Sequence, residues 1–356
     1  MFQLETLQVL DLSWNSFKGT LPSQLGLMSK MTQIGFYQAL QGGSIPSELG
    51  MMTSMASLWL NENAFTGSIP TELGMLTSLT ELILNTNRLT GNVPSELGFL
   101  TNLIDLFLYA NLLTGHVPSD MGRMTALTTM FLPANLLSGS VPSEIGLMDS
   151  LDKLYFNVNS LSGVVPSELA QLSSNLTRLW LHHNSLSGRM PSEICLLTLL
   201  ESLNLKGNFN LSGQVSTEIG MMTALKWLSL QGNAFASSLP IGLGMLRSLS
   251  TLHLGRNNFV GVIPSEVGLL GGLEELDLSN LAQLSGSLPS ELALMTSLGY
   301  FNLSGSPGLS GTIPKAFCHM HQNASCGYGP GGDTSRFNCY MEFDCSNKLC
   351  GCDCVC

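Results

Sequence analysis

Cysteine is the residue type whose spacing first suggests chemistry in this chain of 356 residues. Eight of its nine cysteines lie in the C-terminal segment that begins at Cys318, and the last four alternate with single residues. Thiolates and the nearby His319 and His321 could bind zinc, but zinc ligands usually stand in pairs roughly two to four residues apart. A short segment with few aliphatic side chains needs covalent cross-links to fold, so we favour disulfides and keep zinc as the alternative. The predicted disulfide cysteines are Cys318, Cys326, Cys339, Cys345, Cys350, Cys352, Cys354 and Cys356.

Disulfides form in oxidising compartments, so these cysteines predict an extracellular or cell-surface protein. Met1 is followed directly by sequence that resembles the repeats described below and not a secretory signal. We therefore expect a fragment or a truncated gene product whose leader, N-terminal cap and any membrane anchor lie outside the chain. N-glycosylation sequons, which become usable in the secretory pathway, begin at Asn175, Asn210, Asn302 and Asn323.

Catalytic and nucleic-acid-binding signals are absent from the sequence. It contains no Gly-x-Ser-x-Gly, no His-Glu-x-x-His and no phosphate-binding loop that ends in Gly-Lys-Ser/Thr. His182, His183 and His253 fall on predicted sheet-face positions with no carboxylate or cysteine beside them in a triad-like order, so surface imidazoles are favoured over general bases. A net charge of −11 argues against nucleic acid as a partner. We predict no enzymatic activity, no cofactor and no bound metal.

A single sequence unit recurs along almost the whole chain and must position the residues that bind a ligand. Its clearest copy runs from Leu79 to Gly98, and the turn position held there by Asn87 returns every 24 or 25 residues. Thirteen such units over residues 4–317 predict a solenoid, because one unit alone cannot bury its leucines. The turn position falls at Asn15, Ala39, Asn63, Asn87, Asn111, Asn135, Asn159, Asn184, Asn208, Asn233, Asn257, Leu281 and Ser306.

The residue types within one unit predict its local structure. Leu82 and Leu84 alternate with outward positions as in a short strand, and since every strand runs the same way, the strands form one parallel sheet. The amide of Asn87 can bond the neighbouring backbone at the turn, which repeated along the stack makes a ladder. Ser95 is expected to cap a short helical turn, with Glu96 at its positive end.

The unit Gly-x-Ile/Val-Pro-Ser-Glu-Leu-Gly resembles the plant-type leucine-rich repeats of receptor-like kinase ectodomains and polygalacturonase-inhibiting proteins, and similar arrays occur in algal leucine-rich-repeat proteins. The resemblance covers about nine-tenths of the chain. It implies an α/β solenoid, a right-handed superhelix of about 13 repeats with a parallel sheet on its concave face. Residues 1–317 are the predicted solenoid, and 318–356 are a predicted cysteine-rich C-terminal cap. Four positions depart from the unit, where looser repeats are expected: Ala39, Leu281, Ser306 and Ser216.

Large rings collect at the exposed middle position of successive predicted strands, and the same column turns polar beyond Trp180. Rings that only filled the core would scatter among the leucine positions. The alternative is that strands favour aromatic residues and that neighbouring rings stack for stability. We favour ligand binding, because binding interfaces are rich in large rings and arginine. Charged residues also flank the rings of this chain, with positive charge at one end and Glu81 and Asp105 at the other. The predicted binding residues are Trp59, Ile83, Phe107, Tyr109, Phe131, Lys153, Tyr155, Arg178, Trp180, His182 and Lys206.

The leading functional hypothesis is a non-catalytic extracellular recognition module for a protein, peptide or glycan, as in a receptor ectodomain or a secreted inhibitor. A structural or adhesive protein of the cell wall or cell surface is the alternative. Ice binding, which some solenoids achieve with flat ranks of Thr or Ser, ranks third because the predicted sheet face carries rings and charges. Contact with a membrane is expected only through a segment outside this chain.

Overall fold

The computed structural model describes residues 6–39 and 42–310, and the predicted cap, 318–356, lies outside them. The chain divides into two compact units, Met1–Leu186 and Ser187–Cys356. The same turn of chain repeats within each unit. It consists of a three-residue strand, an asparagine turn, a short second strand in most repeats, and a 3-10 helix. This repetition is the solenoid that the period of the sequence predicts.

The first strand of each repeat belongs to a parallel sheet, and we call these the face strands. Each one pairs in register with the face strand of the next repeat within its unit. The first unit has Val9–Asp11, Gln33–Gly35, Ser57–Trp59, Glu81–Ile83, Asp105–Phe107, Thr129–Phe131, Lys153–Tyr155 and Arg178–Trp180. The second unit has Ser202–Asn204, Trp227–Ser229, Thr251–His253, Glu275–Asp277 and Tyr300–Asn302. These 13 strands, one for each predicted repeat, confirm the period and the parallel direction.

The second strands, which we call the back strands, lie between the asparagine turn and the helix. They are Gly42–Ser44, Ala64–Ser68, Arg88–Thr90, Ser138–Ser140 and Ser160–Gly163 in the first unit, Ser185–Arg189 across the division, and Asn210–Gly213, Ala234–Phe235, Gly286–Ser287 and Leu309–Ser310 in the second. The 3-10 helices of the first unit are Ser23–Leu27, Ser47–Met51, Thr71–Met75, Ser95–Phe99, Ser119–Arg123, Ser143–Leu147 and Ser167–Ser174. Those of the second unit are Ser192–Leu196, Thr217–Met221, Ile241–Met245, Ser265–Leu269 and Ser290–Leu294.

The predicted asparagine ladder is present, and Asn135 shows its geometry. Its Nδ2 donates to the carbonyl of Leu108 in the preceding repeat, at 3.0 Å, and to that of Leu132, at 3.2 Å. Its Oδ1 accepts from the backbone N–H of Leu113, at 3.1 Å. The side chain is buried, so it satisfies three backbone groups that water cannot reach. Each asparagine of this kind therefore ties its repeat to the previous one.

In two of the repeats that depart from the unit, a serine hydroxyl makes hydrogen bonds at the altered position. Ser306 Oγ donates to the carbonyl of Leu278 and accepts from the N–H of Leu281, both at 3.1 Å, so serine fills the role of asparagine. Ser216 stands in the place of a proline, and its Oγ accepts from the N–H of Glu218 at 3.2 Å. A hydroxyl therefore takes over the missing hydrogen bond at Ser306 and caps the helix at Ser216.

The predicted capping by Ser95 is wrong. The residue before the helix is Pro94, whose extended backbone begins the turn without a side-chain hydrogen bond. Ser95 lies inside the helix, and its Oγ donates to the carboxylate of Glu96 at 3.3 Å. Proline fixes its own backbone angle near the value that this turn needs, so the helix starts without a hydroxyl cap.

Glycine allows the helices of successive repeats to touch. A Cβ added to Gly98 would lie 2.3 Å from the backbone oxygen of Asp120, which is closer than two such atoms can approach. The corresponding position in a later repeat of the second unit is Cys195, which is buried and free, as the sequence predicts.

Candidate functional site

The outward side chains of the face strands in the first unit form a surface that we call the strand face. The middle residue of each strand enters the core, so Leu106 is completely buried while Asp105 and Phe107 on either side of it are partly exposed. Pairing in register then brings the equivalent outward residues of successive repeats side by side. The strand face therefore consists of parallel columns, each with one residue from every repeat.

Four rings stack face to face along one of these columns, which we call the aromatic column. Successive ring centroids are 4.8, 4.3 and 4.4 Å apart, and the ring planes differ by 14°, 10° and 12°. The structure thus brings together four rings that the sequence placed on one face. From the N-terminal side they are Phe107, Phe131, Tyr155 and Trp180.

Stacking covers the faces of the two middle rings. Tyr155 lies between Phe131 and Trp180, and only 8% of it is exposed. A sugar that stacks on a ring needs a free ring face, so the middle rings do not offer the glycan contact that their residue type suggests. Stacked pairs of this kind also contribute about 0.5–1.5 kcal/mol each to stability. The aromatic column therefore has a packing role, which is the alternative explanation for these rings. Only the ring edges and the ends of the column remain available to a ligand.

Trp59 and Ile83 continue the column toward the N-terminus. Register places Trp59 beside Ile83, and Ile83 beside Phe107, so an aliphatic side chain separates the indole from the stack. The Nε1 of Trp59 donates to the carboxylate of Glu81 at 2.8 Å. This bond fixes the indole and holds the acid on the strand face.

A neighbouring column carries charge in an ordered sequence. Like charges directly opposite each other in a sheet are destabilising, yet this column pairs two acids and then two bases. Lys153 is partly compensated, since its Nζ lies 3.5 Å from the carboxylate of Asp152. From the N-terminal side the column holds Glu81, Asp105, Thr129, Lys153 and Arg178.

A third column lies two residues beyond the aromatic column in each repeat. The ring of Tyr109 is 6.4 Å from that of Phe107, and the ring of His182 is 5.8 Å from that of Trp180. Both side chains are half-buried and flank the ends of the stack. Lys206, which the sequence also assigns to binding, belongs to the second unit.

Two polar groups in the third column differ in what they offer a ligand. Burial, together with the nearby carboxylate of Glu62, raises the pKa of the Tyr109 hydroxyl above its usual value. The phenol therefore stays protonated at neutral pH and can donate. Asn157 is nearly buried, and its Oδ1 accepts no hydrogen bond from the residues that the structure describes. That oxygen has almost no accessible surface, so it is not a contact point for a ligand.

The face strands of the second unit align Ser229, His253 and Asp277 in register, an order of residue types found in serine hydrolases. The period of the sequence already places these three residues in one polar column, beyond Trp180, and the strand register confirms it. The Nε2 of His253 lies 3.1 Å from the carboxylate of Glu275, so an acid stands beside this histidine, and the question is whether a nucleophile completes a triad.

The alignment does not assemble a nucleophile. Ser229 Oγ is buried and has no hydrogen-bond partner among residues 6–39 and 42–310, whereas a nucleophilic serine must be exposed and bonded to its base. The carboxylate of Asp277 accepts instead from the Nε2 of Gln231, at 2.7 Å. No group of three or more His, Cys, Asp or Glu side chains in the described part of the chain could hold a metal ion.

The sequons within the described residues differ in access. Asn175 and Asn210 are exposed. Asn302 is half-buried, and its Nδ2, the atom to which a glycan would attach, donates to the hydroxyl of Tyr300 at 3.0 Å. Asn323 and the eight predicted disulfide cysteines, with the zinc alternative, lie outside the described residues.

Known proteins share this repeat and this fold. The family described as Leucine Rich Repeat matches residues 6–28, 78–100, 175–197 and 248–270. The solved structure of the Leptospira interrogans LRR protein LIC12759 is 30% identical and has a TM-score of 0.67; the match covers 89% of this chain and 82% of that one. The chain belongs to the leucine-rich-repeat family. Its repeats are of the plant type, as the next comparison shows.

This leucine-rich-repeat protein is similar to the Arabidopsis receptor kinase HAESA, solved in complex with the peptide hormone IDA and the co-receptor SERK1. The two are 31% identical with a TM-score of 0.83, and the match covers 90% of this chain but 53% of the HAESA chain. The chain thus spans about half the length of that relative. A plant ice-binding protein is 26% identical with a TM-score of 0.57, over 76% of this chain and 78% of that one. No curated protein matches by sequence.

None of the helices in the described part of this leucine-rich-repeat protein is long and apolar enough to cross a membrane.

Proposed function

We propose that this leucine-rich-repeat protein is a non-catalytic, extracellular recognition module that binds a peptide or protein segment across the strand face of its first unit. The observation that carries the proposal is the aromatic column beside a column of two acids followed by two bases. Ring edges supply apolar contact, and the charges orient a ligand. The structure of HAESA with a peptide hormone supports a peptide as the class of ligand.

The spacing of the charges defines the ligand more closely. Asp105 and Lys153 are two strands apart, which is about 10 Å at the usual spacing of parallel strands. An extended peptide advances about 3.3 Å per residue, so it spans that distance in about three residues. The matching ligand has a basic group and an acidic group about three to five residues apart, with apolar side chains between them.

The proposal keeps the remaining predicted binding residues in supporting roles. Trp59 and Ile83 extend the apolar surface, while Tyr109 and His182 offer polar groups at its edge. Lys206, in the second unit, stays a predicted binding residue. An extracellular setting is supported by the cysteine-rich segment and by the receptor to which the chain is similar.

A peptide-display experiment tests the proposal without a known ligand. A random peptide library is selected on the full chain, and the dissociation constant of each selected peptide is measured by calorimetry. Trp180→Ala should weaken binding about five- to 150-fold, because a ring at the exposed end of an interface contributes about 1–3 kcal/mol. Trp227→Ala is the matched control, since this indole is exposed on a face strand of the second unit. Selected peptides that bind both variants like the wild type would overturn the proposal.

Ice binding is a second candidate, because exposed Ser and Thr side chains lie side by side on the back strands and not on the strand face. Register places Ser44 beside Thr66 and Ser68 beside Thr90, and all four are exposed. The similarity to a plant ice-binding protein supports this candidate. Thermal hysteresis measured on the full chain, and its loss in Thr66→Tyr/Thr90→Tyr, would establish it. Equal freezing and melting temperatures would exclude it.

A further inference from the structure

The 3-10 helices of the first unit expose a row of large apolar side chains that neither the core nor the strand face uses. The row occupies the position between a buried glycine and the next buried Leu or Met, as with Met75 between Gly74 and Leu76. Its members are 72%, 49%, 58% and 52% exposed. We call the four members that precede Arg123 the apolar ridge, and they are Leu27, Met51, Met75 and Phe99; Leu147 has the same position after Arg123 and is not part of the ridge.

The ridge is continuous because successive helices are in direct contact. A Cβ added to Gly50 would lie 2.3 Å from the backbone oxygen of Glu72, and one added to Gly74 would lie 2.4 Å from that of Glu96. Exposed apolar residues scattered singly need no explanation, but a row of them in adjacent repeats is typical of an interaction surface. Methionine suits such a surface, since its flexible side chain adapts to a partner.

A row of carboxylates runs beside the ridge, three residues before Met51, Met75 and Phe99, whereas Gln24 takes this position before Leu27. Glu48, Glu72 and Glu96 lie in the first turns of their helices, where Ser or Thr hydroxyls bond to them. These hydroxyls are neutral, so they do not compensate the negative charge of the carboxylates. The surface is therefore apolar along its crest and negative along its flank.

Arg123 already shows how this surface holds a basic group. It takes the ridge position in the next helix, Ser119–Arg123. Its guanidinium bonds to the carboxylate of Asp120 at 3.1 Å and lies 5.7 Å from the centroid of the Phe99 ring. One basic side chain thus contacts the carboxylate row and the ridge together, through an ion pair and a cation–π contact.

We propose that the apolar ridge is a second docking surface, which binds a protein segment that interleaves apolar residues with Lys or Arg. Charge complementarity selects this occupant. A second copy of the chain would bring its own carboxylates against the same row, and an anionic lipid surface would be repelled by them. The ridge and the strand face use different residues, so the two surfaces can be tested separately.

Binding of a synthetic probe to the full chain tests the docking surface. The probe is a fluorescein-labelled amphipathic peptide of Leu and Lys, and the same peptide with Glu in place of Lys is its control. Fluorescence anisotropy at physiological salt should show binding of the first peptide only. Met51→Ser/Met75→Ser should raise the dissociation constant about tenfold, and Glu72→Gln/Glu96→Gln should raise it by a similar factor.

Leu112→Ser/Leu136→Ser is the matched control variant, because these leucines are exposed to a similar extent on turns away from the ridge. It should bind the probe within about twofold of wild type. Circular dichroism melts check that each variant is folded, and Met75→Glu gives a second disruption of the crest. The proposal is overturned if the Met variants bind like wild type while the Glu variants do not, since general charge attraction then explains binding. It is also overturned if sedimentation shows a wild-type dimer that Met51→Ser/Met75→Ser dissociates.

Discussion

The ring of Tyr155 lies flat against the indole of Trp180, with 4.4 Å between centroids and 12° between planes. Tyr155 has Phe131 on its other side and is nearly buried, while Trp180 ends the stack and is partly exposed. The two neighbouring rings therefore have different roles in the aromatic column. Tyr155 contributes mainly to packing, and Trp180 is the ring that a ligand can reach.

The first prediction follows from this division. Tyr155→Ala should lower the free energy of unfolding by about 3 kcal/mol, because it empties a site that is filled on both sides. Trp180→Ala should lower it by about 1 kcal/mol, since one stacked pair is lost at the end of the column. Urea denaturation followed by circular dichroism measures both values. Equal losses for the two variants would contradict the division.

The second prediction concerns the asparagine ladder. Asn135→Ala should lower the free energy of unfolding by about 3 kcal/mol, because three buried backbone groups lose their partner. Asn135→Ser should cost less, since Ser306 fills the same position with one hydroxyl. Asn157→Ala is the matched control. It removes an equally buried amide whose Oδ1 has no partner among the described residues, so it should change stability little. A loss as large as that of Asn135→Ala would refute the ladder as its source.

The sequence was sufficient for the features that repeat at a fixed period. Leucines two apart predict Leu82 and Leu84 in the core, where both are completely buried. Asn87 and its equivalents predict the ladder, because an amide needed at every turn recurs at every turn. The columns of the strand face follow from the same period, since parallel strands in register place equivalent residues side by side.

Features that depend on contacts between repeats were missed. The bond between His253 and Glu275 joins residues 22 apart in the chain, and no local pattern marks it. The exposure of Met51 and Met75 was missed because their apolar type suggests core, although the position three residues after each Glu was visible in the sequence. The Ser95 cap was predicted from the residue type alone, whereas the proline before it already sets the backbone.

The third prediction concerns backbone strain at Val158, whose φ is +56°. A left-handed conformation costs an ordinary residue about 1–2 kcal/mol, and glycine adopts it freely. The second unit has Gly207 and Gly232 at the equivalent position, with φ of +69° for both. Val158→Gly should therefore raise the melting temperature by about one degree, corresponding to about 0.5–1 kcal/mol. Val164→Gly, at an exposed valine outside the left-handed region, should lower the melting temperature. A higher melting temperature for Val164→Gly than for Val158→Gly would show that Val158 is unstrained.

The fourth prediction concerns Cys195. Burial, with added repulsion from Glu218 and Glu193, raises the pKa of its thiol from 9.0 to about 11. The unfolded chain loses this proton more readily, so the stability that the protonated thiol contributes is fully present below pH 9 and is lost as pH rises toward 11. Cys195→Ala should remove that part of the alkaline slope when urea midpoints are compared between pH 8 and 11. Alanine fits, since Ala170 holds the equivalent position. An unchanged slope would contradict the shifted pKa.

The fifth prediction tests the order of charges on the strand face. Peptides selected on the full chain should carry an acidic residue on the side that lies over Lys153 and Arg178. Lys153→Glu/Arg178→Glu should then weaken their binding at least about tenfold, and more at low salt, because charges on an exposed face are screened over about 10 Å at 0.1 M. Arg88→Glu on an exposed back strand is the control for the single variant Lys153→Glu, since each of these two variants reverses one charge. Selected peptides with no acidic preference, or with equal sensitivity to Arg88→Glu, would show that the overall charge of the protein, and not this column, orients the ligand.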